Sequence, residues 1–306
     1  MKNEPFYLKV PGSTSNLGPG FDSIGLAINR YLYVSVQLSD QWDIHFINNE
    51  VPLPDIEENI IYNAAKYVSD FHQKELPPLT ISMQSEIPLA RGLGSSAAAI
   101  VAGIEIADII LKLELSRTEK GHFASSFEGH PDNATASLWG GLTVSTHSNE
   151  STETIIGPTP EVDIIAMIPS FELKTKEARS VLPETLAFSK AIEGSSISNV
   201  LIAAIFQNNW ELAGRMMERD IFHQPYRAAL VPDLAKITAL GHELGVYGTI
   251  LSGAGPTIIS FVPKNKGETI AKVISQIFND YQYEILRPDS SGVTKVPSFP
   301  GNRQLI

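Results

Sequence analysis

The sequence predicts a mixed helix-and-strand protein built as two domains or one large one. Three observations carry this. The 306 residues exceed the roughly 150 typical of a single domain, and 43% are hydrophobic against 19% charged, enough for a sizeable core. Runs of β-branched and aromatic residues alternate with longer amphipathic segments. The 22 Gly and 20 Pro punctuate those runs and are too few for a low-complexity chain.

In chain order, Phe6–Val10, Tyr31–Leu38 and Trp42–Ile47 read as strands, from partial alternation of aromatic and β-branched residues. Ile56–Gln73 reads as an amphipathic helix and Leu79–Glu86 as a strand. A helix opens at Ala97 and is apolar nearly all round at its start, which predicts burial. Ser116–Phe127 follows as a second helix, with Ser116 and Glu119 spaced as a capping box. Gly140–His147 reads as a strand, and the break at Thr152–Pro160 separates segments 1–156 and 157–306. Beyond it come a strand at Val162–Ile168 and helices at Leu186–Gln207, Trp210–Arg219 and Leu230–Leu244. Paired strands Tyr247–Leu251 and Thr257–Val262, a helix Lys266–Asp280 and a strand Tyr281–Leu286 complete the pattern. From Arg287 on, Pro288, Pro297 and Pro300 predict a loose or docked end.

Charge and composition exclude several functions. With 23 Lys and Arg against 34 Asp and Glu, the net charge is −11, and no basic cluster offers the field that nucleic acid demands. An anionic ligand must then be held by local devices, such as helix N-termini and single arginines. The absence of cysteine removes disulfides, thiolate nucleophiles, Fe–S clusters and Cys-bound zinc. Met1–Val10 does not read as a signal peptide, and Glu105 and Asp108 interrupt the most apolar stretch, Ala97–Leu113. The expectation is a cytoplasmic protein without membrane or nucleic-acid partners.

Gly92-Leu-Gly94-Ser95-Ser96-Ala97 lies between a predicted strand and the buried helix. Free N–H groups at a helix N-terminus, aided by the macrodipole, attract phosphate without net positive charge. The glycines admit a close ligand, and the hydroxyls add donors or a magnesium ligand. The run also matches the dinucleotide pattern G-x-G-x-x-G/A, but that reading needs a second strand ending in an acid. Here a helix follows and Asp108 lies inside the first one, so an NAD-dependent oxidoreductase is a poor reading. A plain glycine turn with a serine cap is the alternative; the flanking Pro88, Arg91 and the second serine favour phosphate. The loop from Pro11 to Asp22 packs Gly and Pro around Asn16 and Asp22, which suits a binding loop or an ordinary turn equally.

Four motifs occur in order: PGSTSNLGPGFDSIGLA, PLARGLGSSAAA, EGHPDN and LSGAGPT. Together they resemble the GHMP small-molecule kinases over nearly the whole chain. The Asn-Leu-Gly-Pro-Gly-Phe-Asp form of the first motif resembles the homoserine kinase family, whereas mevalonate kinases and galactokinases carry a first motif ending in Gly-Glu-His. The resemblance implies an α+β, two-domain GHMP kinase fold. An N-terminal ATP-binding domain (1–156) like ribosomal protein S5 domain 2 would join a ferredoxin-like C-terminal domain (157–306). It further implies MgATP-dependent phosphorylation of the side-chain hydroxyl of L-homoserine, toward threonine, and a homodimer.

By the same resemblance the ATP loop is Ala90, Arg91, Gly92, Leu93, Gly94, Ser95, Ser96, Ala97, Ala98, Ala99 and Ile100, with Ser96 on magnesium. Asn16 and Asp22 would face homoserine, and His130, Asp132 and Asn133 would lie near substrate and γ-phosphate. Thr175, Arg179 and Arg227 would read the carboxylate, which a planar guanidinium grips with two donors. A surface ion pair is the alternative for each arginine. An acid for magnesium is expected near Lys120-Gly-His122, where none stands; Glu128 or Glu119 would have to serve, and Glu128 is the one assigned. The remaining histidines (45, 72, 122, 147, 223 and 242) read as surface or core residues. A kinase for another alcohol, or a binding protein without turnover, stays open.

Overall fold

The computed structural model describes residues 4–47 and 55–299, so Pro300 of the predicted C-terminal end lies outside the described residues. The chain opens with β1 (Phe6–Ser15), β2 (Ile24–Leu38) and β3 (Asp43–Phe46). Then come α1 (Ile60–Phe71), β4 (Leu79–Ser85), α2 (Ser95–Leu111), α3 (Arg117–Glu128), α4 (Asp132–Trp139), β5 (Leu142–His147) and β6 (Thr152–Ile156). The second half runs β7 (Val162–Pro169), α5 (Thr175–Ser180), α6 (Phe188–Phe206), α7 (Trp210–Met217), α8 (Gln224–Arg227) and α9 (Leu234–Glu243). It ends with β8 (Gly248–Leu251), β9 (Ile258–Pro263), α10 (Gly267–Ile277), β10 (Tyr281–Leu286) and β11 (Thr294–Val296).

Two sheets result. The first orders β11-β1-β2-β4-β3, with β5 on β2 and β6 on β5; the second is antiparallel, in the order β10-β7-β9-β8. All eight residues of β7 are buried, because a strand covered on both faces hides both sets of alternating side chains. Ile164, Ala166 and Ile168 face the main core with Ile197, Leu201 and Trp210 of α6 and α7. Ile165 and Met167 face a second core with Ile237 of α9 and Ile270 and Ile274 of α10. Helix α2 is buried at nine positions, as its all-round apolarity demands.

Several expectations are corrected. Strand β1 continues through Pro11–Ser15, after a register shift at Pro11/Gly12, since Pro11 has no N–H for the ladder; the first loop proper starts at Asn16. The helix expected from Ile56 starts at Ile60, where the Asn59 side chain accepts from the N–H groups of Ile61 and Tyr62. Thr152–Ile156, read as part of a break, pairs with β5. Helix α9 starts at Leu234 rather than Leu230, after Pro232. Ser116 and Glu119 do form a capping box. The C-terminal end is docked: β11 pairs antiparallel with β1, and Asp289 Oδ2 accepts from the Tyr31 hydroxyl at 2.9 Å. Among the described residues no helix is long and apolar enough to cross a membrane.

Candidate active site

A cavity of about 480 Å³ lies where the first loop, the α2 N-terminus, the α3–α4 junction, α5, α8 and the loop after β8 converge. Its centre is the start of α2. Gly94, at the N-cap position, has φ of +75° and offers no side-chain cap; Ala98 N is bonded to Gly94 O. Among the described residues, the N–H groups of Ser95, Ser96 and Ala97 find no acceptor, as expected of a first helical turn. Glycine is required here by space as well as by φ. A Cβ on Gly92 would stand 2.3 Å from Ser252 O, and one on Gly94 2.4 Å from Ser13 Oγ.

The loop after β8 ties the walls together. Ser252 Oγ donates to Gly92 O at 2.6 Å, and Asn16 Nδ2 donates to Gly253 O at 3.0 Å. Asn16 Oδ1 accepts from Asp22 N at 3.0 Å, so both ends of the Asn16 amide brace backbone. Asn133 is committed in the same way. It accepts from Ser15 Oγ at 2.9 Å and donates to Ser13 Oγ at 3.0 Å. Asp132 Oδ1 takes His130 Nδ1 and Asn133 N, each at 2.7 Å. Burial works against the Asp132 charge, but His130 and the Asn133 N–H outweigh it and hold the carboxyl below its usual range. For His130 burial favours the neutral ring; the bond and charge of Asp132 prevail and raise its pKa.

Opposite the helix start are two arginines. Arg179 grips Asp22 with two bonds, of 2.6 and 3.0 Å. Arg227 is only 1% exposed, donates from Nε to Ala178 O at 3.0 Å, and among the described residues pairs with no carboxylate within 4.0 Å. Burial and the neighbouring Arg179 push its pKa down to about 10. The Phe21 ring lies 5.4 Å from Arg179 Cζ and 5.5 Å from Arg227 Cζ. Thr175 lines the cavity at the first turn of α5. Phe46, Ile60, Ile61, Met83 and Leu89 also line the cavity and form its apolar arm.

Not every residue of the loop expectation reaches the cavity. Ala90, Gly92, Gly94, Ser95, Ser96, Ala97 and Ala99 line it; Arg91, Leu93, Ala98 and Ile100 do not. Leu93, Ala98 and Ile100 are core residues, at 1%, 0% and 2% exposure, because the helical period turns them inward. The Arg91 guanidinium points away, donating to Pro169 O at 3.1 Å and Ser170 O at 2.8 Å. The side chains of these four therefore stand outside the cavity lining. Asp108 pairs with Lys120 at 2.7 Å, and α3 rather than a strand follows α2, which leaves the dinucleotide reading without its ribose acid.

Residues 59–141 match the GHMP kinases N terminal domain, and residues 201–280 match the GHMP kinases C terminal domain. The homoserine kinase of Bacillus velezensis is 49% identical over 288 residues, covering 94% of this chain and 93% of that protein. The chain belongs to the homoserine kinase family of the GHMP kinases. The homoserine kinase of Halalkalibacterium halodurans is 47% identical over 293 residues, covering 94% of each chain. A solved structure from Listeria monocytogenes, provisionally described as a homoserine kinase, superposes with a TM-score of 0.82 at 37% identity, covering 96% of this chain and all (100%) of that one. The fold is thus the GHMP kinase fold.

No acid stands at Lys120-Gly-His122, where the resemblance implied one. His122 turns to Thr152, with Nδ1 3.2 Å from Oγ1, and Glu119 is spent on the exposed capping box. Glu128, at the last turn of α3, lines the cavity instead. Its Oε2 is sealed from solvent and has no hydrogen-bond partner among the described residues. Burial is the main cause that lifts its pKa to about 7, while the Ser96 hydroxyl beside it favours the charged form. An orphaned carboxylate oxygen next to a hydroxyl at a helix N-terminus fits a hard divalent cation. His223, expected as a surface or core residue, is a core one, and it precedes α8 at the N-cap position, four residues before Arg227.

Proposed function

We propose that the chain transfers the γ-phosphoryl group of ATP to the side-chain hydroxyl of L-homoserine, giving O-phospho-L-homoserine and ADP, a step toward threonine. One observation carries this reading. A single cavity pairs unpartnered helix N–H groups with an Asp22–Arg179–Arg227 group whose charges complement an amino-acid zwitterion. The ammonium end meets Asp22 and the carboxylate meets Arg179, Arg227 and the Thr175 hydroxyl. The purine occupies the apolar arm, and the Gly92–Ser96 backbone cradles the phosphates. Ser96 and Glu128 would hold magnesium, which screens phosphate charge when bound.

In the transfer, the hydroxyl oxygen forms a bond to the γ-phosphorus as the β,γ-bridging bond breaks, and ADP leaves. Because the transition state is loose, positioning outweighs proton removal. Asn16 and Asn133 serve by locking the walls that aim the hydroxyl, and His130 orients Asp132. Asp132, kept ionised by His130 and so able to accept a proton though a weak base, takes the hydroxyl proton late. The same reading assigns ATP binding to residues 1–156, makes 157–306 the second domain, and places the enzyme in the cytoplasm as a homodimer, without nucleic-acid or membrane partners. The test is ADP release from MgATP in a coupled assay with L-homoserine, mevalonate or galactose. Homoserine-dependent turnover is expected; ATP binding without it overturns the reading.

A further inference from the structure

We propose that His223 is a positioning residue: its buried imidazole spans from the first loop to Arg227 and fixes the guanidinium that meets the amino-acid carboxylate. The inference rests on the reading of Arg227 given above. His223 is fully buried (0% exposed). Its Nε2 lies 3.1 Å from Gly18 O, and its Nδ1 lies 3.0 Å from Arg227 Nη1. The two partners decide the tautomer. A guanidinium only donates, so Nδ1 carries the lone pair; a carbonyl only accepts, so Nε2 carries the proton. The ring is therefore neutral, and it cannot be protonated without aiming two N–H groups at each other across the Nδ1–Nη1 contact.

The surroundings enforce that state. Asp220, one turn earlier, accepts the N–H groups of Phe222, His223 and Gln224 and fixes the start of α8. Its Oδ2 is 3.3 Å from Nε2, on the protonated side of the ring. Burial lowers the His223 pKa to about 4, with Arg227 also lowering it while Asp220, the Gly18 carbonyl and Asp22 act the other way. On the ring face, Phe21 stacks at 5.3 Å and 23°, and Phe21 immediately precedes Asp22. One imidazole thus backs the aromatic ring beneath both guanidiniums and holds one of them by a hydrogen bond.

Arg227 needs such a support. It is buried, its Nη1 is shared between His223 and Gly253 O at 3.2 Å, and among the described residues it has no carboxylate partner. A buried cation without an anion is costly, so the site gains from a neutral acceptor that fixes Nη1 without discharging it. A carboxylate in place of His223 would pair with the charge that the substrate is meant to meet.

The experiment is steady-state kinetics of His223→Leu, His223→Asn and Arg227→Lys, with thermal melts of each. Losing a hydrogen bond to a charged group corresponds to about tenfold to hundredfold. His223→Leu should raise the homoserine KM by that amount, with kcat and the ATP KM much less affected. His223→Asn restores an acceptor near Nδ1 and should recover most of the loss. If Arg227→Lys raises the homoserine KM while His223→Leu and His223→Asn do not, the role of His223 is overturned and the carboxylate reading survives. If Arg227→Lys leaves the KM unchanged, the carboxylate reading itself falls. Nitrogen-15 histidine spectra of the native chain supply a check independent of folding: the expected signature is an Nε2–H tautomer persisting at pH 6. An imidazolium at that pH would overturn the proposal.

Discussion

Replacing Glu128 with Gln should stabilise the ligand-free protein at pH 8 and leave it nearly unchanged at pH 4.5. The Glu128 carboxyl is displaced from 4.5 to about 7, first by burial and then by Asp132, against His130, Arg179 and Ser96. An acid whose pKa rises on folding favours the folded state while protonated. Its contribution is therefore complete below pH 4.5 and lost as pH climbs through 7. At ~1.4 kcal/mol for each pH unit between the two values, the full loss is about 3 kcal/mol. Gln keeps the shape of the protonated acid and cannot ionise. For a chain of this size about 2–4 °C accompanies each kcal/mol, so the variant should melt roughly 6–12 °C above the native protein at pH 8. The assay is differential scanning calorimetry from pH 4.5 to 8 without nucleotide. Equal melting at pH 8, or an equal advantage at both ends of the range, would refute the reasoning. Added MgATP should then raise the native melting temperature more than that of Glu128→Gln, because the unpaired charge is the one the cation would satisfy.

Asp22→Asn should raise the homoserine KM at least tenfold while turnover at saturating homoserine persists, since both oxygens of Asp22 serve Arg179 and a positioning role affects affinity first; abolished turnover would show that Asp22 acts as a base. Gly92→Ala should cost about 1–3 kcal/mol in a melt from the strained φ alone, with more from the 2.3 Å approach to Ser252 O, and should raise the ATP KM; native melting and ATP KM would contradict the loop geometry. Arg91→Ala should leave the ATP KM within about twofold, because losing a guanidinium bonded elsewhere removes no phosphate contact; a tenfold rise would mean that Arg91 swings to the nucleotide. Asn59→Ala should lower stability by about 1 kcal/mol through loss of the α1 cap, as read from chemical denaturation.

Elements with a strong periodic pattern could be read before any coordinates: β4, β7, α3 and α10 lie close to their expected spans. Those that stayed hidden lack local signal. Helix α4, Asp132–Trp139, begins after Pro131 and carries Asn, Thr and Ser where an apolar stripe would be sought; its packing against β1 and β2 overrides weak propensity. Strand β11 is three residues long and forms only because β1 offers an edge. At the site, residue types were legible in the motifs but directions were not. Nothing local says that Arg91 turns toward Pro169, or that Glu128 rather than Glu119 faces Ser96. Those facts depend on where α3 ends relative to α2, which is a tertiary property.

The proposed reading also requires a chain of net charge −11 to take two anionic groups. Long-range attraction is unavailable, so each anion needs a short-range device whose charge is not cancelled beforehand. On the proposed reading the device for the phosphates is the first turn of α2, whose free backbone N–H groups carry the partial positive charge of the helix end. For the carboxylate the same reading supplies two guanidiniums with different tasks. Arg179 is paired with Asp22, so it presents no naked charge, and a zwitterion exchanges one matched pair for two. Arg227 is the opposite case, buried and held by carbonyls and a neutral imidazole. Its desolvation was incurred on folding, which leaves an incoming carboxylate less water to displace. A simple alcohol or a sugar offers Arg227 hydroxyl acceptors but no anion, so on this reading leaving the one cation without a partner favours a charged substrate.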